Sequence, residues 1–228
     1  MSNRPDPALA STAQRSELLE IALEMERSGL NVGTAGNASL RLSAAEESLL
    51  MLVTPSGLAA GQCGPEDLVV VAADGAASGQ RAPSSEWQLH RDLYLACANA
   101  GAVLHAHSPF ATALACQRQD IPPFHYMIAR FGGDSVRCAP YHLFGSAALS
   151  AAAVEALAGR NACLLANHGM VVHGHNGAQA LALAIELETL CAQYWRTLQL
   201  GPPALLSAGE MTEVLEAFRW YGRPRAVG

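Results

Sequence analysis

Apolar residues first gather at helical spacing. Leu18, Leu19, Ile21, Ala22 and Met25 form a stripe between Ser11 and Ser28, and Gly29 stands where that helix should end. The period then shortens. Residues 49–53 and 68–72 are apolar runs that predict strands, and Asp74-Gly75 after the second is a hairpin-turn signal. Pro83-Ser84-Ser85 opens a helix predicted to reach about residue 100, with Gly101 as its stop. Residues 103–107 predict a strand, 109–117 a short helix and 135–138 a further strand. An alanine-rich helix over 146–157 closes at Gly159. Runs at 163–166 and 170–173 flank Asn167-His168-Gly169, giving strand, turn, strand. A long helix from about 178 to 200 ends at Gly201-Pro202-Pro203. Ser207-Ala208-Gly209-Glu210 then reads as the capping box of a last helix, to about residue 220.

No repeat or low-complexity linker interrupts this order, so one domain over 1–228 is expected, with residues 1–10 as a flexible arm and 207–228 as a C-terminal helix and tail. Helices and strands are interleaved, yet at least two hairpins are implied. The expected fold is therefore α/β: a three-layer α/β/α sandwich around a mixed, largely antiparallel sheet. A simple Rossmann domain is not expected, because no G-x-G-x-x-G follows a strand.

Composition narrows the function. Half of the 228 residues are apolar and 15% are charged, as in a globular protein. The net charge of −6, with no basic run, argues against nucleic acid or an anionic membrane as the main partner. The first six residues carry no apolar segment and no apolar run approaches the ~20 residues of a membrane span, so a cytoplasmic location is expected. The six cysteines are scattered without a C-x-x-C pair, and most read as small buried hydrophobes. All fourteen basic residues are arginine. Without lysine there is no Schiff-base amine, no PLP anchor and no Walker lysine, so any carbanion formed here must be stabilised differently.

His105-Ala106-His107 supplies an alternative. Residues i and i+2 leave a strand on one face, so both imidazoles can reach one ion. His168, held in a glycine turn, is the natural third ligand. Glu86 is the candidate fourth ligand or general base, although alone it also reads as a favourable charge at a helix start. Three histidines leave an open position, as catalytic zinc requires. The continuation Ser108-Pro109-Phe110 does not match the H-x-H-x-D-H of metallo-β-lactamase-type hydrolases, and the later glutamate of cupins is absent. Three segments suit an anion: 33–39 (Gly-Thr-Ala-Gly-Asn-Ala-Ser), Thr54-Pro55-Ser56-Gly57 and Pro83-Ser84-Ser85. Each taken singly is also an ordinary turn or helix cap.

Segments 33–40, 54–57, 83–90, 103–107, 124–128, 138–145, 164–169 and 218–222, in that order, resemble the class II aldolase/adducin family over nearly the whole chain. The resemblance implies a zinc ion held by His105, His107 and His168, with Glu86 as a ligand able to swing away and act as acid/base. It implies phosphate contacts from Asn37, Ser56, Gly57, Ser84 and Ser85; Ser56 stands where the family's aldolase has threonine. Tyr126 matches a tyrosine that a neighbouring subunit contributes to protonate the aldehyde-side oxygen. Tyr221 matches a C-terminal tyrosine that closes over the site, and Phe144 and Phe218 match residues packed near the aldehyde. The implied assembly is a homotetramer with active sites between subunits. The implied reaction is cleavage of a small ketose 1-phosphate to dihydroxyacetone phosphate and an aldehyde through a metal-bound enediolate. Fuculose, rhamnulose, ribulose and deoxypentulose phosphates stay open as substrates. The family also holds epimerases, a dehydratase and decarboxylases of sugar phosphates, and non-catalytic adducin-like scaffolds.

Overall fold

The computed structural model describes residues 4–43 and 49–220. Helix α1 (Thr12–Arg27) opens on a reciprocal capping box between Ser11 and Gln14 and buries Leu18, Ile21, Ala22 and Met25, the stripe set by the sequence. Strands β1 (Asn37–Arg41), β2 (Leu50–Val53), β3 (Val69–Ala72) and β4 (Ala77–Ser78) follow, then α2 (Trp87–Ala96), β5 (Ala102–Ala106) and α3 (Pro109–Ala115). After a 3-10 segment at Tyr126–Phe131 come β6 (Cys138–Ala139), α4 (Ala147–Ala156), β7 (Ala162–Leu165), β8 (Gly169–Gly174), α5 (Gly177–Leu200) and α6 (Ala208–Phe218). Asp6 caps a 3-10 turn at Pro7–Leu9, and Ala10 reaches the core.

The eight strands form one sheet in the order β4-β3-β2-β1-β5-β8-β7-β6. Every pairing is antiparallel except β6 with β7. Alternate residues leave opposite faces. Ala38, Leu40, Leu104, Leu164 and Val172 pack with α1, α3, α5 and α6, whereas Met51, Val71, Val103, Cys163 and Val171 pack with α2 and α4. The result is the expected three-layer sandwich. Among the described residues no helix is long and apolar enough to cross a membrane.

Several elements depart from expectation: β6 forms at Cys138–Ala139 and not over 135–138, and α3 stops at Ala115, two residues early. Strand β1 was not predicted: its segment reads as part of an anion-binding loop because Asn37, Ser39 and Arg41 are polar. All three leave the same face of the strand and find partners on α2, while Ala38 and Leu40 enter the opposite core. Helix α2 starts at Trp87 instead of at the serines and ends at Ala96, with Glu86 in the N-cap position. The last helix stops at Phe218, two residues early, after the Ser207/Glu210 capping box forms as expected.

Candidate metal centre and its cleft

Register places the site. In the β1–β5 pairing Asn37 lies opposite His105, so the end of β1 abuts the first histidine. His105 sits on the α2 side of β5, and His107, two residues on, emerges beside it. His168 comes from the β7–β8 turn, where Asn167 takes a left-handed φ of 54°. A Cβ on Gly169 would stand 2.3 Å from the Ala106 carbonyl oxygen, so only glycine lets β8 press this turn against β5. Glu86 reaches in from the start of α2. Its side chain makes no capping bond to the helix and turns toward His105 and His168.

The three rings stand edge to face with centroids 4.7–4.9 Å apart. One nitrogen from each lies within 4.8 Å of the other two. His105 Nε2 is 2.9 Å from His107 Nε2 and 3.1 Å from Glu86 Oε2; His168 Nε2 is 3.5 Å from Glu86 Oε1. His105 Nδ1 donates its proton to the Met170 carbonyl at 2.9 Å, which leaves the Nε2 lone pair facing the carboxylate. Burial pushes the pKa of His105 down to about 3, so this ring is neutral at pH 7, and burial also lowers that of His107. Glu86 is buried, and its Oε1 accepts no hydrogen bond among the described residues. Burial alone would raise its pKa; the facing His105 and His168 and the Asn37 amide outweigh this and hold it below the ordinary carboxylate value. Three imidazole rings and an under-satisfied carboxylate converging on one point form a donor set that fits a divalent cation.

Glu86, His107 and His168 open onto a cleft of about 330 Å³, while His105 is fully buried. All five candidate phosphate-contacting residues line the same cleft: Asn37, Ser56, Gly57, Ser84 and Ser85, with Glu86, His107 and His168. Gly57 has a φ of 68°, which the turn after Ser56 requires. Asn37 is already engaged: its Nδ2 donates to Glu86 Oε2 at 3.0 Å and its Oδ1 faces His90 Nε2 at 2.5 Å, leaving one amide proton for the cleft.

Other residues lie elsewhere. Phe144 lines the cleft and is 61% exposed. Tyr126, 51% exposed, does not line it; it stacks on Phe218 at 6.4 Å, and the two border a separate hollow of about 160 Å³. Tyr221 lies outside the described residues. Tyr141, His142 and Asn167 line the cleft without having been singled out from sequence. Tyr141 and His142 sit beside Phe144, and Asn167 precedes His168, so proximity to named residues was the available signal. All six cysteines are free, but only Cys163 and Cys191 are buried as expected; Cys63, Cys97 and Cys138 are partly buried and Cys116 is exposed at the end of α3. Burial raises the thiol pKa of Cys63 and Cys138 to about 11, far from thiolate chemistry.

Residues 16–195 match the Class II Aldolase and Adducin N-terminal domain. The chain belongs to this family. It is 46% identical over 210 residues to the 5-methylthioribulose-1-phosphate/5-deoxyribulose-1-phosphate aldolase of Rhodospirillum rubrum, covering 92% of this chain and 93% of that protein. It is 40% identical over 207 residues to the L-fuculose phosphate aldolase of Escherichia coli, covering 90% and 94%. A solved L-fuculose 1-phosphate aldolase superposes with a TM-score of 0.87 at 35% identity, over 94% of this chain and all of that one (100%). The sandwich described above is the fold of this class II aldolase family.

Proposed function

We propose that the protein is a zinc-dependent lyase that cleaves a small ketose 1-phosphate to dihydroxyacetone phosphate and an aldehyde. The observation that carries the reading is the convergence of His105, His107, His168 and Glu86 at one end of a cleft whose wall holds Ser56, Gly57, Ser84 and Ser85. Names borne by relatives support the reaction type.

His105, His107 and His168 would hold the ion, which would supply Lewis-acid polarisation and charge neutralisation in place of the absent lysine. The serine hydroxyls and nearby backbone N–H groups bind the phosphate with neutral donors and fix the sugar's position. Glu86, ionised and within reach of the same point, exchanges the proton with the substrate carbon that becomes part of dihydroxyacetone phosphate. Phe144 and Tyr141 offer apolar rings to the far end of the substrate. That favours a 5-deoxypentulose phosphate or its thioether counterpart, in line with the name of the R. rubrum relative. Tyr126 does not line its own chain's cleft and is half exposed, which suits donation of its hydroxyl, with Tyr221, to the aldehyde-side oxygen in a neighbouring subunit of a homotetramer.

A cleavage screen over ketose 1-phosphates tests the reaction, detecting dihydroxyacetone phosphate with and without chelator. Turnover that stops on chelation and returns with zinc is expected; undiminished cleavage by metal-free protein sinks the reading. The subunit assignment has its own test. Neither Tyr126→Phe nor His107→Ala homotetramers should turn over well, whereas co-refolded mixtures should regain up to about a quarter of wild-type activity through sites of mixed origin.

A further inference from the structure

Behind Glu86 a run of hydrogen bonds passes into the α2 side of the core, and its direction follows from one end. An ionised carboxylate only accepts, so Asn37 must present Nδ2–H to Glu86 Oε2. Its Oδ1 then faces His90 Nε2 at 2.5 Å, which requires the proton of this imidazole to sit on Nε2. His90 Nδ1 is left as a bare acceptor and takes the Ser39 Oγ–H at 2.7 Å. The Tyr94 hydroxyl closes the run, 2.8 Å from Ser39 Oγ and 3.0 Å from the Ser39 carbonyl oxygen. The donors from Ser39, His90 and Asn37 all point one way, toward the carboxylate. His90, Ser39 and Tyr94 are fully or almost fully buried, and burial lowers the pKa of His90 to about 4, so the imidazole is neutral at pH 7. None of the three touches the cleft, and the proposed chemistry uses none of them.

We infer that His90 is a positioning residue for Glu86, acting through Asn37: its Nε2–H holds the carboxamide in the one orientation that offers N–H to the carboxylate. The inference rests on the reading of Glu86 as the proton-transferring group. Without this donor the carboxamide can turn over and set Oδ1 against Glu86, a repulsive contact between two acceptors that displaces the carboxylate from the histidines. A histidine that merely filled the core would contribute to packing and leave turnover per folded molecule unchanged.

The tautomer is measured first, on metal-free wild-type protein with 15N-labelled histidine, by long-range 1H–15N correlation. The Nε2–H form of His90 between pH 6 and 8 is expected; an Nδ1–H form overturns the inference whatever the enzyme does. On zinc-loaded protein, His90→Phe should lower kcat by about 30-fold while KM stays within about threefold. His90→Gln, whose amide can donate to Asn37 Oδ1, should recover most of that loss. In an Asn37→Ala background His90→Phe should cost less than about twofold more, because its route to Glu86 is already cut. Multiplicative losses, or an unchanged kcat in His90→Phe, also overturn it. If the wild type cleaves no ketose phosphate, the functional reading fails while the tautomer still decides the direction of the run.

Discussion

On the α1/α3/α5 side of the sheet, Ala38, Leu40, Leu52, Leu104, Leu164 and Val172 meet Leu183, Leu187 and Leu190 in an apolar core. On the α2/α4 side, Met51, Val71 and Val171 share the layer with Asn37, Ser39, Arg41, His90, Tyr94 and His105. Buried polar groups need partners, and this side supplies most of them: Asn37 has Glu86 and His90, and Arg41 binds the carbonyls of Tyr94 and Cys97 at the end of α2, while Arg41 Nε and Glu86 Oε1 find no hydrogen-bond partner among the described residues. The first layer excludes water and anchors the strands. The second gives up part of its apolar contact to aim two imidazoles and a carboxylate.

Breaking the polar side should have the largest effect on chemistry. His107→Ala should lose bound zinc and at least about 1,000-fold in kcat/KM, with little change in melting temperature of the metal-free protein; retained stoichiometric zinc would break the comparison. The apolar side should fail in the opposite manner. Leu187 is fully buried, and Leu187→Ala should cost about 2–5 kcal/mol in urea unfolding, while kcat per folded molecule stays unchanged. The third test sharpens the contrast through pH. His90 has its pKa lowered from 6.5 to about 4 by burial. Below pH 6.5 the unfolded chain takes up a proton that the folded protein refuses, so stability present above 6.5 is lost progressively toward pH 4. Metal-free wild type should therefore lose about 2–3 kcal/mol more than His90→Gln between pH 7 and 4.5. Parallel pH curves for the two proteins would remove His90 from the account.

The α1/α3/α5 side was largely legible in the sequence because its helices bury regular stripes and its caps use side chains of known preference, as Ser11 and Ser207 do. The convergence of the three histidines was legible too: H-x-H at a strand end and a histidine before a turn glycine are local patterns with a fixed geometric consequence. Strand β1 was not. Residues 37–41 do alternate polar and apolar, but the small polar residues after Gly33 and Gly36 read as an anion-binding loop, and the partners that make the polar face tolerable lie 49 to 56 residues away in sequence. The start of α2 was misplaced because Ser84 and Ser85 are good capping residues. Glu86 takes that position and turns its carboxylate to the histidines. Pairwise spacing also left His90 without a role, since its importance depends on which atom of Asn37 faces it.

The outermost strands of the sheet, Ala77–Ser78 and Cys138–Ala139, are two residues each. Such stubs give an incoming chain almost no ladder of free backbone groups to extend. Among the described residues, the sheet margins therefore offer little for edge-to-edge stacking, and any association between copies would fall to side-chain surfaces on helices and loops.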